Sequence, residues 1–251
     1  MKKYFLSFFV IFFIFNIFTA YAVKPKYGPE FRPRAIPLYK SYEFFSKNRI
    51  NQDMFWALIS YYIPQHNQYS CSSAVTATVL NAARSILDRH SDEKVITEAD
   101  LLEKVDLENW KENVSEFGKV DQKGLTLDSF QKVIKKSFEI YGFPQVKIHT
   151  VIVKDTTEKT KSDLIQELNK LSLKHFIIAN FDQSIYTDDA VVGHYASIGS
   201  YDQESGRVLI LDPDRTFYEP YWVSIDTFVL GMATQNPYDH KYRGYMIVDL
   251  N

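Results

Sequence analysis

The chain is short of almost everything that would tie it to a metal, a cofactor or a polyanion. Of its 251 residues one is a cysteine, Cys71, so no internal disulfide can form. There is no second cysteine to complete a zinc site, no His-Glu-x-x-His, and no cluster at calcium-ligand spacing, so no metal site is expected. Its 9 glycines include no phosphate-binding loop, and no cofactor is expected. With 29 Lys and Arg against 31 Asp and Glu, neither sign of charge dominates, which argues against nucleic acid as a partner. Internal repeats and low-complexity segments are missing as well.

One long hydrophobic run is present, at the very start. Lys2 and Lys3 precede an apolar stretch from Phe5 to Phe18, broken by Ser7 and Asn16 and followed by Ala20-Tyr21-Ala22. This pattern predicts a secretory leader over residues 1–22, cleaved after Ala22, and export to the periplasm or the medium. No membrane association is expected after cleavage, and a homodimer is left open. The rival is an uncleaved anchor, because the run nearly spans a bilayer. The remainder suits one domain by the usual size of about 100–200 residues. Export commonly brings disulfides; here packing must replace them.

Pro25, Pro29, Pro33 and Pro37 recur without apolar periodicity, predicting an extended surface arm over 23–38 ahead of a single domain over 39–251. Tyr39–Phe45 and Asp53–Ile59 read as short helices, with a turn at Pro64–Asn67. From Ser72, the spacing of Val75, Val79, Ala82 and Ile86 predicts a helix apolar or small nearly all round, which belongs inside the protein. Ser91–Lys123 reads as charged, irregular surface with a short helix at Ala99–Val105. Thr126 caps a helix with Phe130, Val133, Ile134 and Phe138 on one face. A strand at Val146–Val153, a polar loop at Thr156–Lys161, a helix capped by Ser162 and a strand at Phe176–Phe181 follow. Tyr195–Tyr201 and Val208–Leu211, joined through a Gly206-containing turn, predict an antiparallel hairpin. Ser224 caps a short helix, and Tyr245–Val248 is a closing strand. Helices early and strands late indicate an α+β fold with a mainly antiparallel sheet.

A lone cysteine is commonly a small buried hydrophobe. Cys71, however, stands just where the predicted helix begins, and the partial positive charge of a helix start favours a thiolate. A cysteine nucleophile needs an imidazole to move protons. His194 is the best placed of 6 histidines, because Gly193-His194-Tyr195 opens a strand; the surroundings of His90, His149, His175 and His240 are charged or surface-like. Asp212 ends the next strand of the hairpin, so His194 and Asp212 meet at one end of the sheet. Without the hairpin, Asp212-Pro213-Asp214 would read as a plain turn. Gln65, six residues before Cys71, is placed to donate its amide to a developing oxyanion together with the Cys71 N–H.

These residues resemble the phytochelatin synthase family, which has the papain-like cysteine peptidase fold. The likeness rests on Gln65, Cys71 and Leu80-Asn81-Ala82, on Gly193-His194 with Ile198-Gly199, and on Leu211-Asp212-Pro213-Asp214-Arg215-Thr216-Phe217-Tyr218-Glu219-Pro220-Tyr221-Trp222-Val223. The resemblance implies attack on the cysteinyl-glycine bond of glutathione, free or metal-bound, with γ-glutamylcysteine held as a thioester on Cys71. It implies a triad of Cys71, His194 and Asp212 with Gln65 as oxyanion donor. Arg215, Gly193, Tyr218 and Asn180 are the implied substrate-binding residues.

Departures from the family pattern are specific. Ser72 replaces the usual glycine after the cysteine, Phe217 replaces a lysine, and an arginine near Asn180-Phe181-Asp182-Gln183 has no clear counterpart. Fewer cations weaken capture of a second anionic glutathione, so hydrolysis is expected to exceed transfer. The cysteine-rich C-terminal region of the family has no equivalent in this sequence, which argues against metal sensing by thiol clusters. A papain-like peptidase of the bacteriocin-leader type is the alternative; Asp212-Pro213 suits it and Tyr218-Glu219-Pro220-Tyr221-Trp222 does not. A catalytically silent binding module is the other.

Overall fold

A computed structural model describes residues 25–29, 33–41, 43–44, 52–88, 90–115, 124–187 and 192–250. The leader read at 1–22 lies outside them, as do part of the helix read at Tyr39–Phe45 and residues 116–123 of the charged middle.

Among the described residues, seven strands form one antiparallel sheet: β1 (Ala35–Pro37), β2 (Lys147–Ile152), β3 (His175–Asp182), β4 (Gly193–Asp202), β5 (Arg207–Leu211), β6 (Tyr221–Ser224) and β7 (Gly244–Asp249), in the order β1-β6-β5-β4-β3-β7-β2. The predicted hairpin is β4–β5, with Ser197 opposite Leu211, Asp202 opposite Arg207 and a bulge between Ile198 and Ser200. Strands β3, β4 and β5 are buried at nearly every position, which requires cover on both faces of the sheet. At Gly244 a Cβ would come within 1.9 Å of the Val151 carbonyl oxygen, so only glycine lets β7 lie this close to β2.

The helices are α1 (Gln52–Ser60), α2 (Cys71–Ala83), α3 (Glu98–Lys104), α4 (Trp110–Asn113), α5 (Leu127–Ile140), α6 (Glu158–Leu168), α7 (Gln183–Tyr186) and α8 (Ile225–Met232). Helix α2 packs on β4 and meets α1, α3 and α5, and every one of its residues is buried. Its alanines, serines and threonines allow that close approach, and its polar groups are satisfied locally. Thr76 donates to the Ser72 carbonyl at 2.7 Å, and the Asn81 amide holds the Ile96 backbone from both sides, at 2.8 and 3.0 Å. The result is an α+β molecule with the helix that starts at Cys71 at its centre.

Four local expectations are corrected. The α2 helix ends at Ala83, and Ile86, read as part of its apolar face, is exposed in a 3-10 turn. Thr157, not Ser162, caps α6: its hydroxyl accepts from the Thr160 N–H and is itself steadied by Asp155, so the polar segment is helix rather than loop. The charged middle reaches the core, because Trp110 is fully buried and its Nε1 donates to Ser72 Oγ at 2.9 Å. The arm does not only run over the surface: Ala35–Pro37 pairs with Tyr221–Val223 as an edge strand, a place that tolerates proline.

Candidate active site

Cys71 is the first residue of α2 and is buried. Ser70 occupies the cap position, but its hydroxyl exchanges hydrogen bonds with Asn67, donating to the Asn67 carbonyl and accepting from its N–H at 3.1 and 3.0 Å. No side chain therefore caps α2, and the positive end of the helix is left facing the thiol.

His194, second residue of β4, lies opposite Phe181 of β3 and is buried with the Phe181 ring edge-on to its own. Its Nε2 meets Asp212 Oδ1 at 2.6 Å, and the Cys71 thiol lies near enough to its ring to bear on its charge. With Nε2 committed to the carboxylate, Nδ1 is the nitrogen left for the thiol. Burial alone would keep the ring neutral, yet the charge and hydrogen bond of Asp212, aided by Cys71, hold its pKa well above the ordinary histidine value.

Asp212 is fully buried where β5 runs out, and its carboxylate is surrounded by donors. Oδ1 also accepts the Asp214 N–H at 2.9 Å, while Oδ2 accepts Tyr221 Oη at 2.8 Å and Gln183 Nε2 at 3.1 Å. The Tyr62 hydroxyl donates to the Asp212 carbonyl. Burial pushes the carboxyl up, but the His194 charge and these hydrogen bonds outweigh it and hold the pKa below the usual carboxylate value. Gln183 and Tyr221 were invisible as site residues in the sequence. Tyr221 falls within the Tyr-Glu-Pro-Tyr-Trp stretch, but nothing in that run indicates that its hydroxyl turns to Asp212.

Gln65 is tied to the Asp212 loop, its N–H donating to the Pro213 carbonyl at 2.8 Å. Its side-chain Oε1 is buried without a partner. Gln65 thus sits between the thiol-bearing turn and the carboxylate-bearing turn, in the wall of a hollow of about 360 Å³ bounded by His66, Tyr69, Asp214 and Phe217. Glu98, drawn to the same turn by Ser73, Ser70 and the His66 N–H, has its pKa raised chiefly by burial.

The four residues expected to bind substrate fare differently. Asn180 Nδ2 donates to the His194 carbonyl at 3.1 Å, so it braces the histidine strand and also borders a second, smaller hollow. Arg215 is exposed; its Nε donates to the Tyr218 carbonyl at 3.2 Å and its guanidinium lies 4.8 Å from the Tyr62 ring centre. Tyr218 is buried, its hydroxyl 3.3 Å from Thr187 Oγ1, and lines neither hollow. Gly193 is exposed at the start of β4, and a Cβ there would lie 3.1 Å from Nη2 of Arg243.

Arg243 is a residue that no motif or spacing marks. It is buried, its Nη1 donates to Thr234 Oγ1 at 3.0 Å and the Gln235 carbonyl at 2.6 Å, and Nη2 has no partner. Burial lowers its pKa, with Asp182, Tyr195 and Asp239 acting against that. It borders the second hollow together with Asn180, beneath the strand end that carries His194. Among the described residues, no cluster of His, Cys, Asp and Glu could hold a metal ion.

Residues 40–245 match the family model described as phytochelatin synthase. Over 200 residues, 77% of the chain, the sequence is 25% identical to glutathione gamma-glutamylcysteinyltransferase 1 of Arabidopsis thaliana. Over 56 residues, 22% of the chain, it is 41% identical to glutathione gamma-glutamylcysteinyltransferase 3 of Lotus japonicus. The matched segments span 36% and 12% of those two relatives. A uncapped helix start bearing a thiol, an imidazole clamped by a buried aspartate and a match running nearly the length of the described residues lead to one assignment: the chain belongs to the phytochelatin synthase family.

Proposed function

We propose that this chain cleaves glycine from glutathione through a γ-glutamylcysteinyl thioester on Cys71, and that water resolves the thioester more often than a second glutathione does. The observation that carries this reading is the continuous contact Cys71–His194–Asp212 in a chain of this family. The thiol proton passes to His194 Nδ1, and the sulfur adds to the cysteinyl carbonyl carbon. Asp212 holds the imidazolium that results. The oxyanion takes hydrogen bonds from the Gln65 amide and the Cys71 N–H. The C–N bond then breaks, and His194 returns its proton to the departing glycine amine. Water enters by the reverse sequence: its proton goes to His194, the C–S bond breaks and the thiolate is regained.

Two features support an anionic substrate handled in this way. The unpartnered Nη2 of buried Arg243 lies at the strand end that carries His194, and a carboxylate is the group that would satisfy it. The relatives' names specify glutathione as the molecule those proteins act on. Support for hydrolysis comes from the hollow beside Gln65, where no Lys or Arg stands among the described lining residues and Arg215 is engaged elsewhere.

Purified protein is incubated with glutathione, alone and with one equivalent of cadmium, and the products are resolved by mass spectrometry. Glycine and γ-glutamylcysteine in excess over phytochelatin are expected, and Cys71→Ala should form none of them. Phytochelatin in excess would overturn the preference for water; no glycine release would overturn the whole reading. The leader reading has its own check, since N-terminal sequencing of exported protein should begin at Val23.

A further inference from the structure

Asp212 Oδ2 is served by two donors from separate elements, Tyr221 of β6 and Gln183 of α7. The N-terminal arm reaches both elements. Its edge strand β1 sets Pro37 opposite Tyr221, and the Leu38 N–H donates to the Pro220 carbonyl at 2.8 Å. The Tyr27 ring lies against the Tyr221 ring, with centres 5.7 Å apart. Gly28, at φ +85°, turns the arm where a side chain is disfavoured and where a Cβ would press on Arg34 Cγ at 3.1 Å. The Arg34 N–H meets the Tyr27 carbonyl at 2.7 Å, so the two residues are held side by side. From there the Arg34 guanidinium crosses to α7: Nη1 donates to the Ser184 carbonyl at 3.0 Å and to the Thr187 carbonyl at 3.3 Å. Thr187 Oγ1 in turn donates to the Gln183 carbonyl at 3.1 Å.

We infer that the arm serves the reaction by position: Tyr27 and Arg34 are positioning residues that fix the two donors of Asp212 Oδ2 and, through them, the orientation of His194. This rests on the role given to Asp212 in the thioester reading above. A donor orients a buried carboxylate only while its own element is fixed, and a displacement of about 1 Å at a supporting group is enough to loosen a site. Strand β6 is four residues long and α7 is one turn, so each takes its rigidity from what packs against it. On one side of β6 that neighbour is β5, and on the other it is the arm. Lys26 belongs to the same arm but reaches elsewhere, to the Phe217 carbonyl and Glu219. It therefore separates the effect of the two positioning residues from that of the arm as a whole.

The test compares Tyr27→Ala, Arg34→Ala and Lys26→Ala in the full chain, each checked for folding by thermal denaturation. Arg34 is exposed, so its truncation removes nothing from the core. In glycine release from glutathione, kcat should fall about fivefold in Tyr27→Ala and about threefold in Arg34→Ala, with KM within about twofold, since the loss falls on the orientation of the imidazole. In a Tyr221→Phe background, Tyr27→Ala should cost less than about twofold more, because the bond it supports is already gone. Lys26→Ala leaves both donors braced and should stay within about twofold of the wild type. Reaction of Cys71 with iodoacetamide at pH 7 is a readout that needs no glutathione and is unambiguous, because the chain has one cysteine. It should slow about threefold in Tyr27→Ala and Arg34→Ala, as a looser Asp212 holds less imidazolium beside the thiolate. Unchanged kcat and alkylation in both variants, full additivity with Tyr221→Phe, a loss carried by KM, or an equal loss in Lys26→Ala overturns the positioning role, while glycine release by the wild type leaves the thioester reading standing. A wild type that is alkylated but releases no glycine overturns that reading, and the alkylation rates then decide the arm. A wild type that does neither overturns both.

Discussion

The His194 ring separates two unlike environments. On its Nε2 side Asp212 is fully buried and receives four hydrogen bonds on its two carboxylate oxygens, from His194, Asp214, Tyr221 and Gln183. On its Nδ1 side Cys71 stands at a helix start with no side-chain cap, which leaves the first-turn backbone N–H donors of α2 without a capping partner. The contrast follows from what each side must do. A carboxylate that only orients and balances charge benefits from being fixed by many donors, whereas groups that meet a reacting carbonyl must keep their hydrogen-bonding capacity for it. One side of the ring is structure, and the other is held in reserve for chemistry.

That division is broken most directly at Asp212. Asp212→Asn presents an amide to Nε2, which turns the imidazole to the wrong tautomer, and kcat should fall on the order of 10²–10⁴-fold. Steady-state kinetics of glycine release measures it, and a loss under tenfold would mean that the carboxylate side does not orient the ring. Gln65→Ala tests the opposite side. Loss of one oxyanion donor should lower kcat about 10²–10³-fold, with KM little changed, since a donor reserved for the transition state contributes little to binding. A matched rise in KM would place Gln65 in ground-state binding instead.

Next comes Tyr221→Phe, a positioning change confined to the carboxylate side. It removes the 2.8 Å donor to Asp212 Oδ2 and leaves Gln183 in place, so a loss of about tenfold in kcat, ~1.4 kcal/mol, is expected. Gln183→Ala removes the longer partner bond and should cost less. If both variants match the wild type, the donors around Asp212 are redundant and the contrast between the two sides is weaker than the geometry indicates.

The sequence disclosed what sits at element boundaries and hid what converges in three dimensions. Cys71 opens a helix, His194 is second in a strand and Asp212 follows the end of another, so a correct hairpin was enough to bring the last two together. The caps at Thr126 and Ser224 were legible because each hydroxyl serves the N–H three residues on. Thr157 was not, because Ser162 looked equally suitable and the choice was made by Asp155, which steadies the threonine. Strand β6 follows Pro220 with three fully buried residues in succession, so no alternation marks it, and its pairing with β1 and β5 makes it a strand. Gln183 comes from 29 residues away to reach Asp212, and Arg243 meets Gly193 across the end of the sheet. No local pattern encodes either contact.

The smallest expected effect separates the two sides by pH rather than by rate. Asp212 is held below its ordinary pKa by the His194 charge and its hydrogen-bond donors against the opposing effect of burial. Its contribution to stability is therefore present above about pH 4 and is lost as pH falls through the depressed folded value. His194 is held above its ordinary pKa by Asp212, again against burial. Its contribution is complete below about pH 6.5 and is lost as pH rises through the raised folded value. The pair thus stabilises the fold most between about pH 4 and 6.5. Urea midpoints measured from pH 4 to 9 should show this maximum in the wild type and a flatter profile in Asp212→Asn, which removes one charge and releases the other. Gln65→Ala should keep the wild-type shape, because the Gln65 amide does not titrate in this range and its backbone N–H binds the Pro213 carbonyl rather than either charge. If it flattened the profile as Asp212→Asn does, the two sides of the imidazole would be one coupled unit, and the reserve attributed to the thiol side would be lost.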